Sequence, residues 1–124
     1  EKGYIKGNVS KEGNMPEKSI YHITEKGNKY FLELMKKISA QMINIFLDFN
    51  AVIINLEMVS PFEQKELTEN IECQIREFQK AVSGLEEERT DIPFTGKTIL
   101  KQQVLLSEAL NKWIENFREL YLEE

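Results

Sequence analysis

Apolar positions change rhythm along the chain. Near the N-terminus, Tyr4-Ile5 and Ser19-Ile20-Tyr21-His22-Ile23-Thr24 form two short extended runs, separated by Gly7, Asn8, Gly13, Asn14 and Pro16. Turn-forming residues between β-prone runs predict a β-hairpin. Alternation puts Tyr21 and Ile23 on one face of the second strand, with Ile20 and His22 on the other. A hairpin this short is not stable alone in water, so it must pack on a neighbour.

From Asn28 to Ser60 there is neither Gly nor Pro, and Phe31, Leu34, Ile38, Met42, Ile45, Phe49, Val52 and Leu56 recur at threes and fours. That period predicts an amphipathic helix, bent or divided in two near Asp48 and Asn50. Thr24 is its expected N-cap, with Glu25 in the first turn where the helix dipole favours an acid. Ser60-Pro61-Phe62-Glu63 then spells a second helix start: Ser60 caps, Pro61 suits the first helical position, and Glu63 closes a capping box. This helix should bury Leu67, Ile71, Ile75, Phe78, Val82 and Leu85, and fray around Gly84 and the run Glu86 to Arg89.

Asp91 to Gly96, with Pro93, reads as the connecting turn, and a last helix runs from about Lys97 to the C-terminus. Leu106, Leu110, Trp113, Phe117 and Leu120 follow a 4-3-4-3 spacing, the seam of a coiled coil. Each late helix would be about 40 Å long at ~1.5 Å per residue. Their apolar stripes exceed what one thin hairpin buries, so self-association into a homodimer is expected, with that seam as the dimer interface. The predicted fold class is mainly α: an N-terminal β-hairpin followed by long antiparallel helices forming a dimerisation module.

Composition sets limits on this picture. Of 124 residues, 41% are apolar and 30% charged, enough for a packed core. One cysteine, Cys73, excludes a disulfide framework within the monomer and a zinc-cysteine site, and one histidine, His22, excludes motifs that need two imidazoles. No signal-peptide pattern opens the chain. Its longest apolar stretch, Met42 to Val59, is interrupted by Asn44, Asp48, Asn50, Asn55 and Glu57 and is no membrane span. A cytoplasmic protein with no membrane partner is the expectation, and the sequon Asn8-Val9-Ser10 reads as chance.

The net charge of −5 argues against nucleic acid only until it is divided. Residues 1–37 hold eight Lys and five Glu, a net of +3, whereas residues 38–124 hold eight basic and sixteen acidic residues, a net of −8. An acidic total therefore conceals a basic N-terminal segment.

Catalytic signals are weak. Thr95-Gly96-Lys97-Thr98 resembles the tail of a phosphate-binding loop, but Asp91 stands where the first glycine belongs. His22 has no relay partner nearby and reads as a half-exposed strand residue. Cys73 flanks the Ile71/Ile75 stripe without a basic cluster to activate it, and Glu86 to Glu88 read as a solvated helix end rather than a metal site. Without a nucleophile, relay or metal set, neither an enzyme nor a cofactor is expected. Trp113 is read first as a core or interface anchor and second as a platform for a planar ligand.

One segment carries more than a pattern. Gly3-Tyr4-Ile5, a Lys/Gly/Asn-rich loop, and then Pro16 through Gly27 resemble the wing of PadR-like transcriptional regulators. Their second wing strand reads Tyr-x-(Leu/Ile)-Thr-x-x-Gly and leads into a helix. Here those places are Tyr21, Ile23, Thr24 and Gly27, followed by Tyr30-Phe31. Marker-type winged-helix regulators use a similar element.

The resemblance implies a wing core of Tyr21, Ile23, Thr24 and Gly27, with Tyr21 and Ile23 packing the hairpin onto the helical core. It implies DNA as partner through Lys6, Lys11 and Lys18 on the wing, which would hold phosphates or lean into the minor groove. Residues 1–37 would then be the wing and helix start of an incomplete winged-helix domain. Residues 38–124 would be a dimerisation and effector domain, with a small aromatic effector at Trp113. A member of that family carries a helix-turn-helix before its wing, so a C-terminal piece of a repressor is expected. The rival reading is a helical interaction module with no DNA role.

Overall fold

The computed structural model describes residues 2–10 and 18–122, the side chains at 8–10, 18–20 and 122 excepted. Strands β1 (Ile5–Ser10) and β2 (Lys18–Ile23) form an antiparallel two-stranded sheet, with Ile5 opposite Ile23, Lys6 opposite His22 and Gly7 opposite Tyr21. Helix α1 (Glu25–Ser39) follows, then a stretch without regular structure, the short helix α2 (Asn50–Ile54) and a 3-10 turn at Leu56–Met58. The long helices α3 (Pro61–Glu88) and α4 (Phe94–Phe117) come next, and a π-helical turn, Arg118–Leu122, ends the described chain. The architecture is mainly α with one small hairpin, as the pattern predicts. It divides into two compact units, Glu1–Phe46 and Leu47–Glu124.

Helix α1 stops well short of the periodic pattern. The Ala40 N–H is shared between the Lys36 and Lys37 carbonyls, the Gln41 N–H reaches Ile38, and the Ser39 hydroxyl bonds back to Lys36. These i→i+3 bonds tighten and close the last turn. Met42 and Ile45, expected on a continuing helical stripe, lie instead in the irregular segment and are exposed. The chain breaks at Ala40, not at Asp48. Asn44, Asp48 and Asn50 are residue types that compete for the backbone's hydrogen bonds and disfavour a helix interior.

The Ser60 start is as predicted. The Ser60 hydroxyl accepts from the Glu63 N–H, and the Glu63 carboxylate accepts from the Ser60 N–H, both at 3.2 Å. Helix α3 continues unbroken through Gly84 to Glu88 because Val82 and the half-buried Leu85 remain engaged on that side. The connecting turn is shorter than expected, only residues 89–93. Pro93 occupies the cap position of α4, so Phe94 to Gly96 form its first turn rather than the loop.

Helices α3 and α4 pack antiparallel around Ile71, Ile75 and Ile114, with Phe49, Val52, Ile53, Leu110, Trp113 and Phe117 against that cluster. The face of α4 that is buried or bonded to α3 is Val104, Ser107, Asn111, Ile114 and Arg118. Asn111 bonds Gln79 and Arg118 bonds Glu72. The apolar seam Leu106, Leu110, Trp113, Phe117, Leu120 lies one residue away, about 100° around the helix from the bonded face. The middle of that seam, Leu110, Trp113 and Phe117, also packs against the core. Ser107 and Thr68 are fully buried on the inner side, and each hydroxyl is satisfied within its own helix, by Val104 and Gln64 carbonyls.

Candidate nucleic-acid interface

The junction between hairpin and α1 is built around one threonine. Thr24 caps α1 by accepting from the Gly27 N–H at 3.0 Å, and the same hydroxyl donates to the Gly3 carbonyl at 2.6 Å. Its own N–H donates to the Tyr4 carbonyl at 3.1 Å. Gly3, at φ 77°, adopts the left-handed conformation that glycine tolerates and so turns its carbonyl toward Thr24. Gly27 is the one buried residue of α1, and a Cβ there would overlap the Tyr4 carbonyl oxygen. The Thr-x-x-Gly spacing therefore has a geometric cause. The threonine must reach the third helical N–H, and the glycine at that N–H must admit the first strand's backbone. Tyr4 then stacks on Tyr30 at 4.2 Å between centroids, with the Lys26 ammonium 5.5 Å from the Tyr4 ring.

Tyr21 and Ile23 are placed differently from each other. The Tyr21 ring lies over Gly7, and Ile23 reaches toward Gly27. Tyr21 is 65% and Ile23 51% exposed, and of the two it is Ile23 that meets α1, at Gly27. A glycine opposite the tyrosine explains part of the ring's exposure, since the ring covers bare backbone instead of another side chain.

On the other face, Lys6 and His22 are the described side chains. Lys6 is exposed and directly opposite His22, and Lys18 is opposite Ser10 four pairs further on. By register, positions 6, 8 and 10 of β1 fall in phase with positions 22, 20 and 18 of β2. Lys11 lies outside the described residues. The register thus sets the Lys6 and Lys18 positions in phase and adds that of His22, which sequence reasoning set aside. Pairing Ile5 with Ile23, the only apolar match between the two runs, would have revealed that neighbour.

In the helical unit, Trp113 is half-buried and stacks on Phe49 (5.5 Å) and Phe117 (5.9 Å), with Tyr121 continuing the series beside Phe117. It is an anchor of its own chain's core. Leu110 and Phe117 share that role, whereas Leu106 (38%) and Leu120 (75%) are exposed. Sequence reasoning missed the polar pairs between α3 and α4. Glu72, only 13% exposed at its side chain, holds Arg118 at 2.6 Å and Arg76 at 2.9 Å. Cys73 is exposed. Among the described residues no cluster of His, Cys, Asp or Glu is placed to hold a metal, and no helix is long and apolar enough to cross a membrane.

With its hairpin, Thr-x-x-Gly junction and pair of long antiparallel helices, the chain has a PadR-like fold. Among solved structures that share it, Bacillus subtilis PadR in complex with operator DNA has a TM-score of 0.74 at 18% identity, over 95% of this chain and 70% of that one. The protein smu.1604c from Streptococcus mutans UA159 has a TM-score of 0.52 at 22% identity, over 92% of this chain and 68% of that one. No family model matches the sequence, and no curated protein matches it.

Proposed function

We propose that this chain acts in a PadR-like transcriptional regulator that binds DNA as a homodimer and represses until a small aromatic effector releases it. The observation that carries this reading is the shared fold with PadR, a protein crystallised on its operator, over 95% of the chain. The charge division supports it. The unit that holds the hairpin is basic and the helical unit acidic, so a polyanion is drawn to one and repelled by the other. Lys6, Lys11 and Lys18 contact phosphates, which position a protein on DNA without reading its sequence. Copies associate through the exposed ends of the α4 seam, Leu106 and Leu120, and the effector stacks near Trp113. Effector release requires different affinities for two arrangements of the dimer.

Binding to a mixed-sequence duplex, followed across salt concentrations, tests the DNA reading. Lys6→Ala should weaken binding to all sequences about equally and lower the salt slope by about 1. A chain that shows no salt-dependent association would favour an interaction module without a DNA role. Sedimentation tests the dimer. Leu106→Glu with Leu120→Glu should yield folded monomer, and a wild-type chain that is monomeric at high micromolar concentration would exclude this interface.

A further inference from the structure

We propose that His22 is a proton-linked phosphate contact of the wing, so that this chain's affinity for DNA rises as pH falls. The inference rests on the DNA-binding reading and deepens it by naming a regulatory input. Three observations lead to it. His22 is exposed, it is directly opposite Lys6 in the strand register, and it belongs to the hairpin face that also carries the Lys18 position. Opposed residues of an antiparallel pair have Cβ atoms about 5 Å apart, close enough to share one phosphate oxygen pair. Lys6 supplies a permanent positive charge there, and His22 supplies a conditional one.

The groups around His22 permit this role. From β1, Lys6 is directly opposite it. From α1, the charged residues of the first turns are Glu25, Lys26 and Lys29, and the Lys26 ammonium is held at the Tyr4 ring. Among the described residues His22 has no ion-pair partner. A phosphate between Lys6 and His22 favours the imidazolium, whose two N–H groups are both donors. The proton comes from solvent, and one ring N–H donates to a phosphate oxygen. Linkage then makes binding and protonation mutually favourable.

His22 is the chain's one histidine, which makes the test direct. The full chain is titrated onto a fluorescent mixed-sequence DNA duplex at low salt, at about pH 5.5 and about pH 8. Wild type should bind about fivefold tighter at the lower pH, His22→Gln should lose that gain, and His22→Lys should bind tightly at both. Glu and Asp protonation contributes equally to all three proteins, so the Gln variant measures it. Imidazole resonances that move toward the protonated form on adding DNA give a second readout. Equal pH dependence in wild type and His22→Gln, or none in wild type, would overturn the inference while leaving DNA binding intact. Absence of binding by wild type and by His22→Lys at both pH values would overturn the inference together with the reading beneath it.

Discussion

The two units of this chain are held by different physics. In Glu1–Phe46 the hairpin and helix meet through backbone carbonyls, one threonine hydroxyl and a glycine that admits another strand, and Gly27 alone among the described residues is buried. The apolar side chains of α1, from Phe31 to Ile38, are largely exposed. In Leu47–Glu124 the reverse holds. Ile71, Ile75 and Ile114 form a side-chain core, and polar pairs sit beside it. A junction made of backbone geometry leaves a short, rigid sequence signature. A core made of packing accepts many sequences of the right volume.

The contrast can be broken most severely at Ile114, which is 1% exposed. Ile114→Ala should cost the helical unit about 3 kcal/mol through lost transfer energy and a cavity. Denaturant unfolding followed by the fluorescence of Trp113, the single tryptophan, would report it. The hairpin's amide exchange should be unaffected. Gly27→Ala attacks the other unit. The new methyl meets the Tyr4 carbonyl, so a loss of roughly 2–3 kcal/mol at the junction is expected. It should appear as faster exchange of the Thr24 and Gly27 amides with an unchanged Trp113 transition. A single cooperative loss of both units in either variant would show that they do not fold separately.

Smaller effects sharpen the same division. Thr24→Val keeps the β-branched shape but removes both hydroxyl bonds, and about 1–2 kcal/mol should be lost from the first unit. Arg118→Met removes the pair with Glu72 at the end of α4. The pair is partly solvent-screened, so the helical unit should lose less than about 1 kcal/mol, with a shallower dependence on salt. An Arg118 effect as large as that of Ile114 would mean that the polar contacts, not the apolar core, hold α3 to α4.

What could be read from the sequence follows from how local each cause is. The capping box at Ser60 and the cap at Thr24 involve residues within three positions of each other, and both formed as spelled. The Tyr-x-Ile-Thr-x-x-Gly element pointed to the right fold because its glycine answers to a steric demand rather than to packing. Periodicity misled past the end of α1. Met42 and Ile45 keep the helical spacing, but Ser39 and Ala40 close α1 before them. Periodicity was incomplete on α4 as well, since the seam from Leu106 to Leu120 stood out by hydrophobicity. The adjacent face, with Ser107, Asn111 and Arg118, looks solvent-exposed in sequence and yet meets α3. The pairing of His22 with Lys6 depends on register, which no single strand displays.

The short connection at residues 89–93 has a kinetic consequence. Five residues hold the start of α4 to the end of α3, which gives the two helices an effective concentration in about the millimolar range. Their pairing is therefore independent of how much protein is present and, being local, fast. Any association between copies through the second stripe of α4 is bimolecular and comes later. On dilution, copies would part while each helical pair stayed closed. The concentration of the chain would then set how many copies associate, not how many are folded.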